Sequence, residues 1–203
     1  MADLESPDAM PRLIAFLSSL LQKVAESNDR GGQIQQLPQR ISVFHGLTRP
    51  AISIRSYLER IFKYANCSPA CFVVAYVYLE RFAQQQPALP INSLNVHRLL
   101  ITSVMVAAKF LDDIYYNNAY YAKVGGISTM EMNFLEVDFL FGLGFNLNVT
   151  PSAFHTYSSY LQREMMMMQQ CPLSTVEDGR SQKLRLICFN EDEASHQKQE
   201  LAV

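Results

Sequence analysis

Two charged side chains stand by themselves in apolar text. Lys109 is the only charged residue between Arg98 and Asp112, and Glu136 lies between Leu135 and Val137. An ammonium near the end of an apolar helix either snorkels to water, where the helix dipole favours it, or reaches acceptors on something that docks there. A carboxylate in an apolar stretch either marks a solvated face, here with Asp138 close by, or meets a cation. Lysine is rarely fully buried, so spacing alone leaves the solvated reading open for both.

The other chemistry-bearing side chains do not converge. His45, His97, His155 and His196 contain no i, i+4 pair. Cys67, Cys71, Cys171 and Cys188 form no CxxC pair and have no histidine at zinc spacing. There is no GxSxG, P-loop or GxGxxG motif, and Gly142-Leu143-Gly144 follows a helix instead of opening one, so it reads as a terminator. The expectation is no metal, no cofactor and no catalytic residue, which makes a stand-alone enzyme the last of the readings.

Composition narrows the partners. Of 203 residues 49% are apolar, enough for a packed core and too many for a disordered chain. The net charge of -2 argues against a nucleic-acid partner, which usually requires a basic excess. The longest uninterrupted apolar run, Cys71–Leu79, is too short to span a membrane. Asp3, Glu5 and Asp8 precede the apolar stretch Leu13–Leu21, where an export signal would carry positive charge. The four cysteines therefore read as reduced intracellular thiols, in nucleus or cytoplasm.

The elements that must position Lys109 and Glu136 are helical. Leu13, Phe16, Leu17, Leu20, Leu21 and Val24 recur at three- and four-residue spacing and predict a helix over 10–26. Ser27–Pro38, with Gly31-Gly32, predicts a linker. From Ser53 a stripe of Ile54, Leu58, Ile61 and Ala65 predicts the next helix. Ser68 and Pro69 supply an N-cap and first position for a helix over 69–84 that is apolar nearly all round. Another of that kind follows over 95–111; both must be wrapped by neighbours. A short helix at 117–124 ends at Gly125-Gly126. The capping box from Ser128 to Glu131 opens a helix reaching Leu143, and Thr150-Pro151 opens the last, to about Met167. Phe110, Leu111, Phe139 and Phe141 read more readily as core than as contact. The Tyr115-Tyr116 and Tyr120-Tyr121 pairs suit either an interface rim or burial. The polar tail from Gln169, with Glu191-Asp192-Glu193, is expected to be mobile.

This layout carries a resemblance. Arg55-Ser-Tyr-Leu58, Tyr78-Leu-Glu-Arg-Phe82, Ala107-Ala-Lys-Phe-Leu-Asp-Asp113 and Phe134-Leu-Glu-Val-Asp-Phe-Leu140 resemble a cyclin box over about 41–150, roughly half the chain. Phe44–Ile54 and Asn190–Gln199 look like the plant U-type, or P-type, cyclins, which are similar to the phosphate-response cyclins of yeast. The resemblance implies an all-α fold: a single five-helix cyclin box at 41–150, an N-terminal helix and linker at 1–40, and a C-terminal helix and mobile tail at 151–203. Too few residues follow Thr150 for a second five-helix repeat. The substrate-docking patch of such proteins falls on Ile54, Leu58 and Ile61, without its usual tryptophan, which puts ordinary docking in doubt.

It also implies a function. A cyclin binds a cyclin-dependent Ser/Thr protein kinase (A-type in plants) as a heterodimer and activates it by positioning its regulatory helix, in cell-cycle or phosphate control. The alternative is a scaffold that binds a kinase or other partner without activating it. In the family pattern Lys109 and Glu136 form the kinase contact, with Phe110 and Leu111 beside them. Arg55 and Glu80 form an internal ion pair between the first and second box helices.

Overall fold

The two helices whose sequences are apolar on every side are the two that the others surround. A computed structural model describes residues 9–35 and 42–170. Among the described residues there are seven helices and no strand: α1 (Ala9–Gln35), α2 (Ile54–Ala65), α3 (Pro69–Gln85), α4 (Val96–Leu111), α5 (Asn118–Gly125), α6 (Thr129–Gly142) and α7 (Pro151–Gln170). The central pair is α3 and α4, packed on each other; α2, α5 and α6 lie against α4, α7 lies against α3, and α1 lies across α2 and α7. Every residue of α3 from Cys71 to Phe82 is buried, as is nearly every residue of α4 up to Ala108. No helix among the described residues is long and apolar enough to cross a membrane.

Local chemistry sets most of the boundaries. Ser53 Oγ accepts the Ser56 N–H at 3.1 Å and starts α2, which ends on Asn66 in the left-handed region (φ 46°). Asn117 Oδ1 accepts the Tyr120 N–H at 3.0 Å at the head of α5. Ser128 Oγ accepts the Glu131 N–H at 3.1 Å, but the expected box is only half made, because the Glu131 carboxylate turns to Arg98 Nε at 2.6 Å. Ser68 does not cap with its side chain. Its N–H donates to Asp112 Oδ2 at 3.0 Å and its hydroxyl meets Cys71 Sγ at 3.3 Å, which ties the head of α3 to the end of α4.

One sequence expectation is corrected here. The first helix does not stop at 26; α1 runs through Gly31 and Gly32 to Gln35. Asn28 Nδ2 donates to the Ile91 carbonyl at 2.8 Å and Asp29 Oδ1 accepts the Ser93 N–H at 3.2 Å, so tertiary bonds offset the roughly 1 kcal/mol helix penalty of each glycine. Residues 36–38 of the expected linker, and the tail with Cys171, Cys188 and Glu191-Asp192-Glu193, lie outside the described residues. Gly142-Leu143-Gly144 does end α6, and Gly142 has a second role. It is the last residue of α6 and stands against the Phe82 ring of α3, where a Cβ would overlap the ring. The turn itself uses Gly144 (φ 55°).

The face of α2 that carries Ile54, Leu58 and Ile61 is fully buried. Leu17 and Leu21 of α1 close over Leu58 together with Phe72, Tyr76 and Leu79 of α3. The C-terminal helix is anchored by a buried polar cluster. Glu80 of α3 accepts the Tyr76 hydroxyl at 2.5 Å and the Tyr157 hydroxyl of α7 at 2.8 Å. Burial, then the Glu80 charge, pushes the Tyr76 phenol far above its ordinary value, so it stays a donor. Tyr157→Phe removes one charge-assisted bond and is expected to lower the unfolding free energy by about 1.5–3 kcal/mol; urea denaturation of the two proteins measures it.

Candidate functional site

Lys109 occupies the last turn of α4, where the helix carbonyls favour a cation. Glu136 lies in the middle of α6, at the edge between its core side (Met132, Leu135, Phe139) and its outer side. The crossing of α4, α5 and α6 brings these two together. Lys109 Nζ donates to Glu136 Oε1 at 2.7 Å, and the two side chains keep 26% and 19% of their accessible surface. A third residue closes the arrangement. Asn118, first residue of α5, accepts from Lys109 Nζ through Oδ1 at 2.5 Å and donates through Nδ2 to Glu136 Oε2 at 2.7 Å and to Asn133 Oδ1 at 2.8 Å. Both carboxylate oxygens are thus satisfied, while one of the three ammonium donors has no partner among the described residues. The site is a half-buried ion pair that keeps one ammonium donor unused among the described residues.

Around it the surface is apolar to an unusual degree. Phe110 and Leu111 stand 48% and 41% exposed at the end of α4. On α6 the residues Phe134, Val137 and Phe141 recur at helical spacing on the side away from the core, and all are exposed, Phe141 at 68%. Phe141 meets Phe145 edge to face at 5.1 Å, and Phe145 is itself exposed. Of the four residues expected as core, only Phe139 is core; Phe110, Leu111 and Phe141 face outward. Phe134, Val137 and Phe141 thus form an exposed apolar stripe along α6, extended by Phe145.

The resemblance implied Lys109, Glu136, Phe110 and Leu111 as a kinase contact; the structure brings Lys109 and Glu136 together, with Phe110 and Leu111 next in the chain and exposed. Sequence reasoning missed Asn118, whose position at the head of α5 offers capping as the nearer explanation. It also missed Phe134, Val137 and Phe145. The signal for the first two was available: Phe134 and Val137 recur at helical spacing beside the polar Asn133 and Asp138, away from Met132, Leu135 and Phe139, which already make a core face.

The expected Arg55–Glu80 ion pair is absent. Arg55 Nε pairs with Glu59 Oε1 at 3.0 Å, one turn along α2, with the arginine side chain 67% exposed. Glu80 is wholly buried and serves Tyr76 and Tyr157. Ile54, Tyr57, Leu58 and Ile61 take the core face of α2, which turns Arg55 outward. An exposed i, i+4 pair contributes little, so Arg55→Ala is expected to change the unfolding free energy by no more than about 0.5 kcal/mol, read from a thermal melt.

No three His, Cys, Asp or Glu side chains converge on a common point among the described residues. His97 is buried, and its Nε2 lies 3.0 Å from the Ile52 carbonyl; burial lowers its pKa, so it is neutral and fixes the segment ahead of α2.

Comparison with known proteins gives this geometry a context. A family model described as "Cyclin" matches residues 9–147. The chain is 72% identical over 200 residues to "Cyclin-U4-1" of Arabidopsis thaliana, covering 98% of this chain and 97% of that protein. It is 61% identical over 171 residues to "Cyclin-P4-1" of Oryza sativa subsp. japonica, covering 83% and 81%. It is 54% identical over 209 residues to "Cyclin-U4-3" of Arabidopsis thaliana, covering 98% and 94%.

Proposed function

The chain belongs to the cyclin family, alongside the plant U- and P-type cyclins it is similar to, and on that premise we propose that it binds a cyclin-dependent Ser/Thr protein kinase and activates it. Cyclins are regulatory and non-enzymatic; this chain is read in the same way, as a non-catalytic subunit in a heterodimer with an A-type kinase in the nucleus or cytoplasm. The observation that carries the reading is the Lys109–Asn118–Glu136 ring, set among Phe110, Leu111, Phe134, Val137 and Phe141.

The mechanism follows from that face. The exposed rings supply apolar area for the kinase's movable regulatory helix. The spare Lys109 donor reaches backbone carbonyls at that helix, and Glu136 holds the ammonium in place. An opposite-charge pair at the centre of an apolar contact fixes register and disfavours wrong partners. A protein that binds the inward position of the kinase helix better than the outward one shifts the kinase toward its active arrangement, in which its Lys–Glu pair and metal loop are formed. The physiological output assigned is cell-cycle or phosphate control.

Co-expression with an A-type cyclin-dependent kinase, purification of the complex and a phosphorylation assay on a generic Ser/Thr substrate test the proposal. The expected result is a 1:1 complex with turnover well above that of the kinase alone. A stable complex without stimulated turnover selects the scaffold reading instead; no complex overturns both.

A further inference from the structure

On the side where α2 meets α5, a second surface has a different chemistry. Arg60, Lys63 and Tyr64 follow helical spacing on α2; Tyr116, Tyr120 and Lys123 do so on and just ahead of α5. The two sets are joined: the Tyr120 hydroxyl donates to the Tyr64 carbonyl at 2.8 Å, and Arg60 Nη2 donates to the Lys123 carbonyl at 3.0 Å. Tyr116 stacks on Tyr120 with centroids 3.9 Å apart, and Lys63 Nζ lies 5.3 Å from the centre of the Tyr64 ring. Tyr64, Tyr116, Lys63 and Lys123 are exposed. Of the nearby carboxylates, Glu59 pairs with Arg55, Glu131 with Arg98, and Asp112 accepts from the Ser68 N–H and Cys71 Sγ, while Asp113 stands exposed three residues ahead of Tyr116. Three cations interleaved with three tyrosine rings fit a short acidic segment that also carries apolar or aromatic side chains.

The chain contains such a segment. Residues 184–193 read Leu-Arg-Leu-Ile-Cys-Phe-Asn-Glu-Asp-Glu, a largely apolar stretch with one cation, Arg185, ending in three consecutive acids. Residues 171–183 connect it to the end of α7 and extend to roughly 45 Å at most, against roughly 40 Å for the diameter of a folded unit of this size. Tethering raises its concentration at the surface to the millimolar range, about what a weak electrostatic and stacking contact requires. We propose that the segment 184–193 of the same chain docks on the α2–α5 surface, with Glu191, Asp192 and Glu193 against Arg60, Lys63 and Lys123 and Ile187 and Phe189 against the tyrosine rings. The proposal does not depend on a kinase partner.

Zero-length carbodiimide coupling of the full chain, with peptide mapping by mass spectrometry, tests it. The expected links join Lys63 or Lys123 to Glu191, Asp192 or Glu193 at low ionic strength. Their yield falls roughly five-fold at about 0.5 M salt and in Arg60→Gln or Tyr116→Ala, positions that take no part in the coupling itself. A mixture of light and heavy-isotope chains reads where the links form, and the proposal expects them within single chains. Links between chains would overturn it in favour of a second copy as occupant. Links spread evenly over Lys23, Lys63, Lys109 and Lys123, or a yield indifferent to salt and to both substitutions, would overturn it outright.

Discussion

Lys109→Ala is expected to weaken kinase binding by about 2–5 kcal/mol, roughly 30- to 4,000-fold, while leaving the free chain as helical as before. The magnitude follows from what the substitution leaves behind. Glu136 and Asn118 remain bonded to each other, but the carboxylate loses its ammonium, and covering it with a partner then desolvates an uncompensated charge. In the unbound chain the same carboxylate keeps some contact with water, at 19% side-chain exposure, so stability changes far less than affinity. Glu136→Ala removes the other half and is expected to fall in the same range. Calorimetric titration of purified kinase, with circular dichroism on the free variants, separates the two effects. An unchanged dissociation constant for a folded Lys109→Ala protein would rule the ring out as the contact.

The largest expected effect on stability is at Phe82. Its ring lies between elements: stacked on Phe139 of α6 at 5.1 Å, edge-on to Phe44 at 5.3 Å, and directly against the α-carbon of Gly142. Phe82→Ala opens a cavity among groups that cannot collapse together and is expected to cost about 3–5 kcal/mol. Gly142→Ala tests the same contact from the opposite side. The helix gains propensity, but the new methyl overlaps a ring held on both faces, for an expected net loss of about 1–3 kcal/mol. Combining Gly142→Ala with Phe82→Leu makes room, and the double variant is expected to be more stable than the sum of the singles. Guanidinium denaturation midpoints decide it; strict additivity would mean that the ring and the glycine do not press on each other.

Much of the fold was legible because the helix ends carry their own chemistry. Ser53, Asn66, Asn117 and Ser128 punctuate the chain where the structure places the boundaries of α2, α5 and α6. The first helix was misread because Gly31-Gly32 is a breaker locally, and the bonds that carry the helix past it go to Ile91 and Ser93, far along the sequence. The same limit explains Arg55. Its partner Glu59 is visible at i, i+4, but nothing in the chain alone says that Glu80 is claimed by Tyr76 and Tyr157. At the site, Lys109 and Glu136 stood out as charges in apolar surroundings. Phe141 did not, because whether a phenylalanine is core or surface depends on what lies opposite it. Gly142 hid its contact for the same reason: a missing side chain leaves no periodicity to read.

Asn118 already holds the lysine and the glutamate in register in the chain on its own. A docking protein meets a rigid template, so little entropy is lost on this side of the contact. The ordering cost of association then falls on the opposite molecule, and differences in affinity among candidate kinases should track how readily each swings its own helix into line.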